Sequence, residues 1–195
     1  MRNGSNRHRG SDLVGELEER LTQAELAAVD SAWPTEYADP LIHTWRSAGA
    51  RLAMATNNSP RIAHAYLSGR DLGRVRHIYG RTEDLQRLKP DPYCLLRALN
   101  ATGTRPGAAL MIGDNPSDLA AARQAGVAFL GYAANDRKAK LLREAGAEAV
   151  VTSLWEVLVL VREGAEPSGP PLSGPPLSGP SVAPGMWKLD VTTRV

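Results

Sequence analysis

The chain has 195 residues, 43% of them hydrophobic, and 23 basic side chains against 21 acidic ones leave a net charge of +2. That length suits one domain able to bury a core, and the dispersed, interleaved charges exclude a basic stripe for nucleic acid. One cysteine, Cys94, excludes an internal disulfide and suits a reducing compartment, so a cytoplasmic location is expected.

Residues 1–11 are basic and polar and read as a disordered leader; without an apolar run they do not make a signal peptide. Residues 12–35 read as two short helices, with Leu13, Leu17 and Leu21 and then Leu26 and Val29 at helical spacing. From 36 to 163 the text alternates. Helices are predicted over 39–48, 60–68, 92–100, 116–125, 135–145 and 153–162, and strands over 51–55, 75–79, 108–112, 127–131 and 148–151. Such alternation gives an α/β fold, a parallel sheet covered by helices on both faces. Gly103, Gly126 and Gly146 stand just past predicted helices, where C-terminal caps belong. The longest apolar run, LWEVLVLV, is too short to span a bilayer and is broken by Glu156, so no membrane contact is expected. Cys94 lies beside Leu95 and Leu96 in a helical pattern and reads as a small core residue; His64 and His77 lack partners at metal spacing.

At Gly164 the character changes, and SGPPL at 168–172 recurs at 173–177, followed by SGP. Proline at this density favours extended polyproline II and builds no core. Residues 164–195 therefore read as a spacer, a proline-recognising partner being the other reading, and MWKLDVTTRV at 186–195 as a frayed end or a short docking segment.

Three stretches carry the chemistry: LAMATNNSP at 52–60, LKPDPY at 88–93 and LMIGDNPSDLAAARQAG at 110–126. In each, a capping residue (Ser59, Asp91 or Asn115) precedes a proline at the first helical position. Helix N-termini gathered at the carboxyl ends of parallel strands form an anion pocket, because their unpaired N–H groups and dipoles point into it.

In order and spacing, Thr56, then Lys89, then Gly113-Asp114 with Asp118 four residues on resemble the haloacid dehalogenase superfamily of phosphatases, in its phosphoglycolate-phosphatase-like branch. The resemblance runs over residues 36–160 and implies a three-layer, Rossmann-like parallel sheet, with 12–35 as the last part of a helical cap. It implies Mg²⁺-dependent hydrolysis of a small phosphorylated metabolite. Thr56 and Asn57 would hold phosphate through a hydroxyl and a backbone N–H, and Lys89 would neutralise phosphate and nucleophile. Asp114 would hold the metal and Asp118 would support metal or lysine. By their own residues, Asp114 also fits a Gly-Asp-Asn-Pro turn, and Asp118 a capping acid at the third helical position.

The family's first motif, a strand ending in Asp-x-Asp with the nucleophile first, occurs nowhere in this sequence. Asp190 follows an apolar pair, but Thr192 stands where a permuted motif would need its second acid. Phosphatase turnover is therefore expected to be impaired, with a non-catalytic phosphometabolite-binding or protein-interaction module as the alternative. The strand bearing that motif is central in the family. Its loss leaves three expectations: the sheet closes up, another segment fills the gap, or the sequence is a piece of a longer protein.

Overall fold

The structure is a computed structural model that describes residues 5–72, 75–165 and 186–189. Its elements follow the alternation: α2 (Ala38–Ser47), β1 (Leu52–Ala55), α3 (Pro60–Ser68), β2 (His77–Tyr79) and α4 (Tyr93–Thr102). Then come β3 (Ala109–Gly113), α5 (Pro116–Ala125), β4 (Ala128–Tyr132), α6 (Asp136–Glu144), β5 (Val150–Val151) and α7 (Leu154–Ala165). Ahead of them lies α1 (Ser5–Ala27), and after them β6 (Met186–Leu189).

The chain starts and stops these helices locally. Ser59 accepts the Arg61 N–H ahead of Pro60, and Asn115 accepts the Ser117 N–H ahead of Pro116. At Asp91 the helix begins one residue later than predicted, at Tyr93, whose N–H the Asp91 carboxylate accepts at 2.8 Å. Gly103 and Gly126 end α4 and α5 in the left-handed region, at φ 61° and 69°, where a Cβ would clash with the backbone.

All strand pairs are parallel, in the order β2-β1-β6-β3-β4-β5. Period-2 alternation sorts the side chains between two layers. Leu52 of β1 with Leu110 and Ile112 of β3 pack against α2 and α7, around Leu41, Ile42, Trp45, Leu154 and Leu158. Ala53 and Ala109 face the opposite layer, against Ala98 and Leu99 of α4, while Ala55 and Met111 meet Cys94, Leu95 and α5. The expected three-layer, Rossmann-like α/β fold is thus present. Cys94 is a buried core residue, as read.

Two expectations are corrected at the amino end. Residues 12–35 do not form two short helices: one helix runs from Ser5 to Ala27, with a 3₁₀ turn over Val29–Ser31. It also extends into the stretch read as a disordered leader, because elongating a formed helix gains one hydrogen bond per residue fixed. The Leu13, Leu17 and Leu21 stripe has helical spacing but lies exposed, at 56, 57 and 47%. A polar face docks instead. Arg81, buried behind β2, pairs with Glu18 and Glu25 of α1 at 2.7 and 3.0 Å.

The tail carries the largest difference from expectation. Residues 186–189 are not a frayed end: they form the central strand, inserted between β1 and β3. Of the three expectations for the gap, the second holds within this chain. Unpaired N–H and C=O groups along β1 and β3 would cost about 1–3 kcal/mol each when buried, so any extended segment within reach is drawn there. The rest of the tail, including the SGPPL repeats and Asp190, lies outside the described residues.

Candidate functional site

β1 ends at Ala55 and β3 at Gly113, so Thr56 and Asp114 leave the same carboxyl edge of the sheet on either side of β6. Between them, in the interior, the Lys89 ammonium lies 2.6 Å from Asp118 Oδ1 and donates to the Ala55 carbonyl at 3.2 Å. Both side chains are almost wholly enclosed, 3 and 2% exposed. Burying a charge is tolerable only with a partner, and the pair thereby fixes a cation beneath the strand ends.

Backbone contacts hold this lysine in place. The Asn57 side-chain amide donates to the Lys89 carbonyl at 3.0 Å and accepts the Lys89 N–H at 2.8 Å. Gln124 of α5 donates to the Pro90 carbonyl at 2.9 Å. Asn57 therefore clamps the lysine loop with its side chain, a role its sequence neighbourhood did not disclose. Thr56 Oγ1 accepts the Asn58 N–H at 3.1 Å, which directs the hydroxyl proton elsewhere.

Asp118 combines both readings made from sequence. Its Oδ2 accepts the Asn115 N–H at 3.1 Å, completing a reciprocal capping box with Asn115, while Oδ1 holds Lys89. Gly113 makes room for it: a Cβ there would stand 2.6 Å from Asp118 Cβ and 2.8 Å from Oδ2.

Asp114 is paired with Lys138, near the start of α6, through its Oδ2. Lys138 was not singled out from sequence; the packing of α6 against β4 and β5 brings it to Asp114 at the end of the neighbouring strand β3. Arg81 was likewise unread. Besides its two glutamates it donates to the Asn57 carbonyl at 3.2 Å, linking α1 to the loop beneath the site. Burial works against its charge, but its hydrogen bonds to Glu25 and Glu18 prevail and raise its pKa above the ordinary guanidinium value.

Thr56, Asn57, Lys89, Asp114 and Asp118 thus gather at one edge. As a magnesium site they fall short. Mg²⁺ takes hard oxygen donors, one or two carboxylates with substrate phosphate, yet Lys138 holds Asp114, and Lys89 and Asn115 hold Asp118. Among the described residues no three His, Cys, Asp or Glu side chains cluster as a metal would need. A separate cavity of about 370 Å³, lined by Arg46, Arg51, Arg76 and His77, opens at the amino ends of β1 and β2, away from this edge. No helix among the described residues is long and apolar enough to cross a membrane.

The family model for haloacid dehalogenase-like hydrolases matches residues 4–126. Phosphoglycolate phosphatase 1 of Pseudomonas aeruginosa is 31% identical over 164 residues, which cover 80% of this chain and 59% of that protein. The crystal structure of a HAD family hydrolase from Deinococcus radiodurans, with bound phosphate and sodium, is 27% identical at a TM-score of 0.56, over 66% of this chain and 59% of that one. A putative phosphoglycolate phosphatase from Lactobacillus delbrueckii, 19% identical, shares the fold at a TM-score of 0.58, over 65% of this chain and 52% of that one. The chain spans 52 to 59% of the length of the first curated relatives it matches.

Proposed function

Because the chain belongs to the haloacid dehalogenase-like hydrolases, we propose that its carboxyl-edge site receives the phosphoryl group of a small phosphomonoester, of the kind a phosphoglycolate phosphatase acts on. The observation that carries this reading is the enclosed Lys89 ammonium, fixed by Asp118 and by the Asn57 clamp. It lies beside two proline-started helices, α3 and α5. Helix N-termini and a buried cation favour an anion. Thr56 Oγ1 and the Asn57 N–H are the donors proposed for the phosphoryl oxygens.

Hydrolysis is a separate matter. Both acids at this edge among the described residues are engaged by lysines, and no Asp-x-Asp pair exists in the sequence to attack phosphorus and relay the proton. Magnesium would supply charge neutralisation at phosphoryl oxygens, but Asp114 as found is held by Lys138 rather than offered to a cation. The site as described therefore binds phosphate better than it cleaves phosphate esters. The same pairing favours the second reading, a phosphometabolite-binding module that does not turn over.

The test combines thermal melting with phosphate release, using inorganic phosphate and 2-phosphoglycolate with and without Mg²⁺. Stabilisation by phosphate, weakened in Thr56→Val, with release no greater than in Asp114→Ala, is the expected result. Clear Mg²⁺-dependent release above that control overturns the impairment. If Asp190→Asn then abolished the release, the missing carboxylate would be assigned to position 190. Failure of phosphate to raise the melting temperature would remove the phosphate site itself.

A further inference from the structure

Strand β6 is joined to its neighbours through the main chain. Leu52 and Ala53 of β1 stand opposite Trp187 and Lys188, and the four residues from Ala109 to Ile112 of β3 stand opposite Met186 to Leu189. Remove β6 and β1 still pairs with β2, and β3 with β4, but nothing in the sheet joins the two halves.

The helical layers hold those halves in place independently. On one face α2 and α7 pack with Leu52 of β1 and with Leu110 and Ile112 of β3 in a single cluster. On the other, Ala98 and Leu99 of α4 pack with both Ala53 and Ala109. Helices therefore bridge β1 and β3 above and below, while the two strands stand about 10 Å apart, two strand spacings. The space between them is roofed on both faces and edged by inward N–H and C=O groups. Such a slot binds an extended backbone through main-chain hydrogen bonds, with its two roofs selecting among alternate side chains, which is the physics of strand addition.

The occupant is tethered to the same chain. Twenty residues, 166–185, separate α7 from β6. A proline-rich stretch of that length can span about 60 Å, more than the roughly 40 Å width of a domain this size. α7 lies between two parallel strands in the chain, so it runs back toward the amino edge of the sheet, where β6 must begin.

We propose that the space between β1 and β3 is a strand-acceptor groove, that this chain's residues 186–189 are its tethered occupant in cis, and that the groove exchanges them for the same segment offered as a free peptide. The occupant fills the strand position between Thr56 and Asp114, so docking of the tail completes the carboxyl edge between them. The proposal does not depend on the phosphate chemistry.

The test uses the full chain with a protease recognition sequence replacing residues 173–178, cut after folding. The fragment bearing 186–195 should remain bound through size-exclusion chromatography, and an isotope-labelled peptide of residues 184–195 should replace it. Amides at 52–55 and 109–113 should resist hydrogen exchange as long as the fragment or the peptide is bound. In the uncut chain, Lys188→Pro should raise exchange at both segments at least tenfold, whereas Lys188→Ala, which keeps the N–H, should not. Loss of the fragment on cutting with β1 and β3 still protected would overturn the proposal. So would unaltered protection in a folded Lys188→Pro chain. A dimer whose subunits exchange tails would overturn the assignment in cis, making a second copy the occupant.

Discussion

Lys89 Nζ and Asp118 Oδ1 lie 2.6 Å apart in the interior, and this contact joins the lysine loop to the capping box of α5. It is a structural and an electrostatic bond at once, because the aspartate that caps the helix also neutralises the cation that the site presents. Replacing Asp118 by alanine takes the carboxylate away from a buried ammonium and opens the capping box. A loss of about 3–5 kcal/mol is expected, read by urea denaturation. Lys89→Met should cost less, since Asp118 keeps the Asn115 N–H. The double variant Lys89→Met/Asp118→Ala should recover part of the loss. Strict additivity of the two single effects would mean that the ion pair carries no coupling.

Gly113 is required by proximity and not by backbone angle. A methyl group there would press on Asp118 Cβ and Oδ2 at 2.6 and 2.8 Å. Gly113→Ala should destabilise by about 1–3 kcal/mol and weaken stabilisation by phosphate. Gly107→Ala, where a Cβ meets nothing within 4 Å, is the control. Equal melting temperatures for the two variants would show that α5 can move away without cost.

Arg81 ties α1 to the body of the domain through Glu18 and Glu25. Its side chain is 6% exposed, so Arg81→Met deprives two carboxylates of their guanidinium while filling most of the space. Hydrogen exchange over residues 13–27 should rise, with a stability loss of about 3 kcal/mol. Glu25→Gln, which keeps the shape and one acceptor, should lose about 1 kcal/mol. Undiminished protection of α1 in Arg81→Met would assign the docking to other contacts.

Lys138 competes with any cation for Asp114. Removing it in Lys138→Met should tighten apparent Mg²⁺ binding about tenfold, the effect of removing one nearby positive charge worth about 1.4 kcal/mol. Titration of melting temperature with Mg²⁺ measures it, and Asp114→Asn in the same background should cancel the gain. No gain from Lys138→Met would mean that the edge lacks enough donors for the ion even when Asp114 is released.

Local chemistry was legible residue by residue. Ser59-Pro60 and Asn115-Pro116 announced α3 and α5, Gly103 and Gly126 announced where α4 and α5 stop, and alternating apolar runs announced a parallel sheet with two helical layers. These signals act over a few residues, through one backbone bond or one forbidden angle, so the text itself contains them. Thr56, Asn57, Lys89, Asp114 and Asp118 could be named in advance because their order and spacing resemble the haloacid dehalogenase motifs.

Contacts decided elsewhere left no such mark. Lys138 reaches Asp114, Arg81 reaches Glu18 and Glu25, and Asn57 clamps the Lys89 peptide only because packing brings distant segments together. The exposed leucine stripe of α1 shows the converse, a periodicity that fixed the helix but not the face it would dock. Strand β6 is the clearest case. Residues 186–189 have little pattern of their own, and their place at the centre of the sheet is dictated by the vacant hydrogen bonds of β1 and β3. Sequence determined the elements, their order and the residues at the strand ends; the tertiary structure alone decided which charges pair and which segment completes the sheet, because those choices depend on partners far away along the chain.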